Sequence, residues 1–223
     1  MNYLTSIRNF LHLKFSKVAG FFIIFYVVGI VGMLLPFSFH LFVKLIPLAL
    51  LLSSVALAFF HSSFNTKTIF LFILIYLVGF FVEVIGVNTG LIFGDYLYGE
   101  SLGLKVFNTP VIIGLNWLLL VYITASILEN QHWHIGIKVF SGAAMMLGYD
   151  LIIEQIAPRL QMWYWQTDTV PLKNYVAWFL IALIFHASIQ VFKVKTKNKI
   201  APVIFGCQVL FFLILLIAFN LKH

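Results

Sequence analysis

Charge is what this sequence has least of. Only 9% of its 223 residues are Asp, Glu, Lys or Arg, where a soluble domain carries about 25%. So few charges cannot cover a water-facing surface. A 62% hydrophobic composition and a mean hydropathy of +1.05 suit a lipid-facing one instead. Cysteine is nearly absent. The single Cys207 lies in an apolar run, which excludes an internal disulfide or a CxxC pair for zinc or redox work. It reads as a small lipid-facing or packing residue. The histidines (His12, His40, His61, His132, His134, His186, His223) lack the clustered HxxxH and HxxHH spacings of membrane di-iron oxygenases. His132 and His134 read as solvated loop residues. No DxxxD pair offers itself to magnesium diphosphate, and no lysine sits mid-way along the last apolar segment for a retinal Schiff base. No metal or organic cofactor is therefore expected.

What is present is a series of apolar segments, roughly 17–36, 41–60, 69–92, 110–128, 137–157, 174–192 and 201–221. Each approaches the ~20 residues that cross a hydrocarbon core of about 30 Å as a helix. Helices satisfy their own backbone in lipid at that length, whereas barrel strands would be about half as long. The expectation is an all-α polytopic transmembrane bundle of about seven spans, one domain over 1–223. The first apolar run ends at Pro36 without a small-x-small site, so it reads as a span and not a cleaved signal.

The net charge of +7 comes from basic residues in short loops, which the positive-inside rule explains better than nucleic-acid binding does. With the N-terminus cytoplasmic, the inner side holds Arg8, Lys14, Lys17, Lys67, Lys138, Lys193, Lys195, Lys197 and Lys199. The outer side holds Lys44, Lys105, Arg159, Lys173 and Lys222. The bias predicts N-terminus in and C-terminus out, in a bacterial inner membrane. Two outer loops, 93–109 and 158–173, are rich in Tyr, Trp, Gly and Pro. They are expected to form short interfacial helices or re-entrant turns, a lid over the bundle.

The placement of the acids is the main clue to chemistry. Glu100, Glu129 and Asp168 read as loop residues, and Asp95 as the outer end of the third span. Glu83, Asp150 and Glu154 fall inside spans. A carboxylate at a helix centre costs roughly 2.5–3.5 kcal/mol, so intramembrane acids usually face the bundle interior and serve function. Asp150 and Glu154, four apart, share a helix face, at a depth similar to that of Glu83. Three acids at one depth cannot all be ionised without repulsion, so at least one is expected to be a neutral proton donor in a dry pocket. The plainer alternative is that Glu83 and Asp150 only bridge helices through hydrogen bonds. Gly86 and Gly90 form a GxxxG pair that permits close helix approach, and His186 reads equally as a pore-facing partner or a capped packing residue.

Glu83-x-x-Gly86-x-x-Thr89-Gly90-x-x-Phe93-Gly94-x-Tyr96-x-Tyr98 is followed by Pro110, Trp117, Asp150, Pro158, Trp163 and Trp165. Val170-Pro171-x-x-Asn174-Tyr175-x-x-Trp178 completes the set. Together these resemble the carotenoid hydratase family, whose members include γ-carotene and bisanhydrobacterioruberin hydratases. The resemblance covers 83–178, the motif-bearing core. It implies addition of water to a terminal isoprenoid double bond of an acyclic carotenoid drawn from the bilayer, with a tertiary alcohol as product. Asn116 before Trp117 and Ala177 before Trp178 depart from the pattern, where a small or apolar residue and a glycine are expected. These departures bear on end-group specificity more than on reaction type.

The reaction suits the residues. Protonating the less substituted alkene carbon leaves a tertiary cation, and a neutral buried carboxylic acid can supply the proton. Aromatic faces attract the cation by up to ~2 kcal/mol when desolvated. Glu83 or Asp150 is expected as acid, the other as base, with Glu154 tuning both. Thr89, Tyr96, Tyr98, Asn116, Trp117, Trp163, Trp165, Asn174, Trp178 and His186 are the expected substrate-binding residues. The alternatives are a lycopene-cyclase-like enzyme, which quenches the same cation with an internal double bond, and a non-enzymatic carotenoid binder or transporter. A transporter would show inverted repeats or broken helices in both halves, and no repeat stands out.

Overall fold

The computed structural model describes residue 8 and residues 10–167 and 169–221. Asp168, expected in a loop, Lys222, expected on the outer side, and His223 lie outside the described residues.

Helix α1 spans Phe15–Leu34 and stops before Leu35-Pro36, where proline disfavours a helical predecessor. A short α2, Phe39–Lys44, leads into α3, Ile46–Phe60, which has Pro47 in its first turn. Helix α4, Thr66–Thr89, starts at Asn65, whose side chain accepts the Thr68 N–H, a standard N-cap. It ends at Gly90 in the left-handed region, φ 65°, the conformation a C-terminal cap requires. Helices α5 (Ile112–Leu128), α6 (Ile135–Glu154), α7 (Leu172–Val191) and α8 (Ala201–Leu221) follow. Five of these helices, α1, α4, α6, α7 and α8, are long and apolar enough to cross a membrane. At 15 and 17 residues, α3 and α5 are shorter; they rise about 22 and 25 Å, against a core of about 30 Å. The described chain is thus mainly helical and carries the long apolar spans of a membrane protein.

Helix α5 is the axis of the bundle. It touches α3, α4, α6, α7 and α8, and most of its side chains are buried. Helix α4 approaches it closely through glycine: a Cβ at Gly79 would fall 2.8 Å from the Trp117 side chain, and one at Gly114 2.6 Å from the Tyr76 carbonyl. The outward faces are apolar and exposed, as at Ile24 on α1, Phe70 on α4 and Ile184 on α7, which is where acyl chains would lie.

The two aromatic-rich loops form neither interfacial helices nor re-entrant turns. Each contributes a three-residue strand, β1 (Tyr96–Tyr98) and β4 (Trp163–Trp165), paired antiparallel with Tyr96 opposite Trp165 and Tyr98 opposite Trp163. Between them in sequence, β2 (Lys105–Val106) and β3 (Thr109–Pro110) make a hairpin whose turn residues Phe107 and Asn108 both have positive φ. Gly86 and Gly90 do not bring two helices together. Gly86 leaves room for the Phe93 ring and Gly90 for the Asp95 carboxyl, because the chain folds back over its own helix end.

Candidate active site

Alternation within β1 and β4 decides what lies above the bundle. Successive strand residues point to opposite faces, so Leu97 and Tyr164 are exposed while Tyr96, Tyr98, Trp163 and Trp165 turn inward. Each of the four presents an O–H or N–H to a carboxylate below. Tyr96 and Tyr98 donate to Glu83 Oε2 at 2.7 and 2.8 Å. Trp163 and Trp165 donate to Glu154 Oε2 at 2.9 and 2.7 Å. Burial first, and then the neighbouring Glu83, push both phenol pKa values up, so the hydroxyls keep their protons and act as donors.

The helices complete the site. From α5, Trp117 Nε1 donates to Glu83 Oε1 at 2.9 Å, and its ring stacks on Trp178 of α7 with centroids 3.9 Å apart. Asn174, near the start of α7, donates to Glu154 Oε1 at 3.1 Å and more weakly to Asp150 Oδ2 at 3.4 Å. Glu83, Asp150 and Glu154 are 3%, 1% and 4% exposed. All three line one cavity of about 30 Å³, shared with Asn116, Trp117, Asn174 and Trp178. One water needs roughly 10–15 Å³ of such space.

The three acids are not equivalent. Glu83 and Glu154 each receive three donors, against the roughly four acceptor sites of a carboxylate. Asp150 receives one long contact, and its Oδ1 has no hydrogen-bond partner among the described residues. Among the described residues no Lys or Arg lines the cavity, and the ion pair is Lys105–Glu100, at the surface. A buried carboxyl with so few donors and no counter-charge favours the form that holds its proton. The geometry therefore separates two acids well supplied with donors from one that is sparsely partnered.

Most of the expected residues meet here, and two do not. Thr89 is exposed, with its hydroxyl on the Ile85 carbonyl one turn back. His186 is buried away from the acid cavity, in a notch left by Gly142, with Nε2 3.0 Å from Thr124 Oγ1; it packs helices together. Phe93, Ile113, Tyr149 and Ile153 also line the cavity and were not anticipated. Tyr149 is adjacent to Asp150, yet neighbours in a helix lie about 100° apart, so no spacing signalled it.

A second chamber adjoins the first. It measures about 120 Å³, is overwhelmingly apolar, and shares Ile113, Asn116, Tyr149, Ile153 and Trp163 with the acid cavity. A cavity of about 150 Å³ holds a benzene-sized guest, so this space matches a small branched hydrocarbon end.

Comparison with known proteins gives two matches. The model of the carotenoid biosynthesis protein family matches residues 45–221. A bisanhydrobacterioruberin hydratase from Haloarcula japonica is 30% identical over 112 residues, a stretch covering 44% of this chain and 36% of that protein. The chain thus matches little more than a third of the length of that relative. No solved structure matches the chain.

Proposed function

We propose, from the premise that this chain belongs to the carotenoid biosynthesis protein family, that it is a hydratase. It adds water to a terminal double bond of an acyclic carotenoid. The observation that carries the reading is the sparsely partnered Asp150, which shares its cavity with two carboxyls that accept three hydrogen bonds each and lies beside an apolar chamber.

In this reading the isoprenoid end lies in the apolar chamber and a water in the acid cavity. Asp150 gives its proton to the less substituted alkene carbon. The positive charge develops on the tertiary carbon, near the Trp117–Trp178 stack and the Glu83 and Glu154 carboxylates, which oppose it electrostatically. Water attacks that carbon, and the Asp150 carboxylate takes up the proton it releases. One C–H and one C–O bond form, one π bond is lost, and the acid is restored. Glu83 and Glu154 stay charged throughout, and Asn116 stands where the two cavities meet.

The same reading places the chain in a bacterial inner membrane with the N-terminus inside. It has seven spans, counting α3 and α5 with the five long helices, and one domain whose core is 83–178. Its carotenoid comes from the bilayer.

Expression in a lycopene-producing bacterial host, followed by pigment mass analysis, tests this. A product heavier by one water supports hydration. A product of unchanged mass and altered spectrum would show cyclisation instead, and unaltered pigment would remove the activity.

A further inference from the structure

We propose that the gap between α1 and the α2–α3 segment is a lateral window. Through it the end of a linear polyisoprenoid chain passes from the bilayer into the apolar chamber beside the acids. The inference rests on the hydration reading and adds the substrate's route.

Helix α1 packs along α8, whereas α3 packs against α5, so the two helices diverge and leave the chamber between them. The gap is framed at both ends. At one end Tyr26 Oη and Ser53 Oγ, 3.1 Å apart, tie α1 to α3. At the other, the Phe42 ring of α2 lies directly on Gly32 of α1, where a Cβ would collide with it. Tyr26 and Gly32 are six residues apart on one helix, so the frame is about 9 Å tall. That exceeds the thickness of a flat conjugated chain, whose faces contact neighbours at about 3.5–4.0 Å.

Within the frame, Val28, Leu45 and Leu48 both line the chamber and are exposed on the outer surface. The chamber therefore reaches the lipid-facing side of the bundle. Among the described residues no Asp, Glu, Lys or Arg lines it, so no charged side chain there would hold a lipid headgroup. Its far end merges with the acid cavity at Asn116. A chain end pushed through the window arrives beside Asp150, while the remainder, too large for about 120 Å³, stays among the acyl chains. This geometry admits a slim, acyclic polyene whose side groups are no larger than methyl, with a small branched terminus.

Photo-cross-linking in native membranes tests the window. A benzophenone amino acid at Leu48, on the rim, is compared with one at Leu180, exposed on α7 away from the gap. The probe is isotopically labelled lycopene. The expected result is an adduct at least tenfold more abundant at Leu48, together with a similar fall in product for Ala49→Trp, which fills the gap. Equal labelling at the two positions overturns the window, whether or not hydration occurs. Strong labelling at Leu48 without hydrated product upholds the window and removes the hydration reading.

Discussion

Two buried polar clusters sit at opposite ends of this bundle, and they are built on different terms. At the end that gathers the 61–65, 129–134 and 193–200 loops, side chains stitch backbone to backbone. Asn198 donates to the Leu57 carbonyl at 2.9 Å and to the Tyr122 hydroxyl at 3.0 Å, and Tyr122 meets His61 Nδ1 at 2.8 Å. Glu129 accepts from the Thr196 N–H and hydroxyl, and Arg8 binds the His61 and Ser62 carbonyls. At the other end, side chains bond only to one another: three carboxyls, two tyrosines, three tryptophans and an asparagine, around a cavity that no described Lys or Arg lines. The first arrangement closes loops. The second gathers three carboxyls at a defined place and leaves one of them sparsely partnered. Each cluster leaves one buried atom without a hydrogen-bond partner among the described residues, His61 Nε2 at the first and Asp150 Oδ1 at the second, and a buried polar group left unpaired calls for an explanation.

Substitutions should separate the two ends. The largest effect is expected from Asp150→Asn. Hydration should fall by roughly 10²–10⁴-fold, the usual range for loss of a general acid, with the melting temperature in detergent unchanged because Oδ1 has no bond to lose. A large loss of stability would instead make Asp150 a structural bridge. Next, Glu83→Gln keeps the shape and removes a charge, so the rate should drop by about 10²-fold. Glu83→Leu would strand the Tyr96, Tyr98 and Trp117 donors at about 1–3 kcal/mol each and should lower stability as well.

At the opposite end, Asn198→Ala should cost about 1–3 kcal/mol of stability and leave the rate per folded molecule intact. An altered rate would couple the two clusters. Tyr98→Phe removes one of three donors to Glu83 and should cost about 0.5–1.5 kcal/mol with a modest change in rate.

The smallest effect concerns His61, outside the helices. Burial first, and also the nearby Arg8 guanidinium, pull its imidazole pKa below the ordinary 6.5. The folded protein therefore binds this proton less readily than the unfolded chain does. The stability it contributes is complete above about pH 6.5 and declines as pH falls below that value. A pH series of melting temperatures should show a decline that His61→Gln removes.

Much of the helical frame was legible in the residues. The apolar segment 201–221 coincides with α8, and 69–92 is offset by three residues from Thr66–Thr89. The strands were not legible. Three residues are too few to show a period, and β1 pairs with a partner 65 to 69 positions away, a non-local choice that local pattern does not carry. Thr89 was misplaced because six residues beyond Glu83 is about 240° round the helix, off the inward face. His186 lies about 80° round the helix from Trp178 and about 12 Å further along the axis.

The sequence by itself determined that this is a bundle of apolar helices with three acids inside it. Lipid permits few other backbones at that hydropathy, and intramembrane carboxyls must turn inward. Only the tertiary structure decided which acid stands apart. That depends on where the inward faces of two distant three-residue strands deliver their donors, and a hydrogen bond between remote segments exists only once the chain has folded.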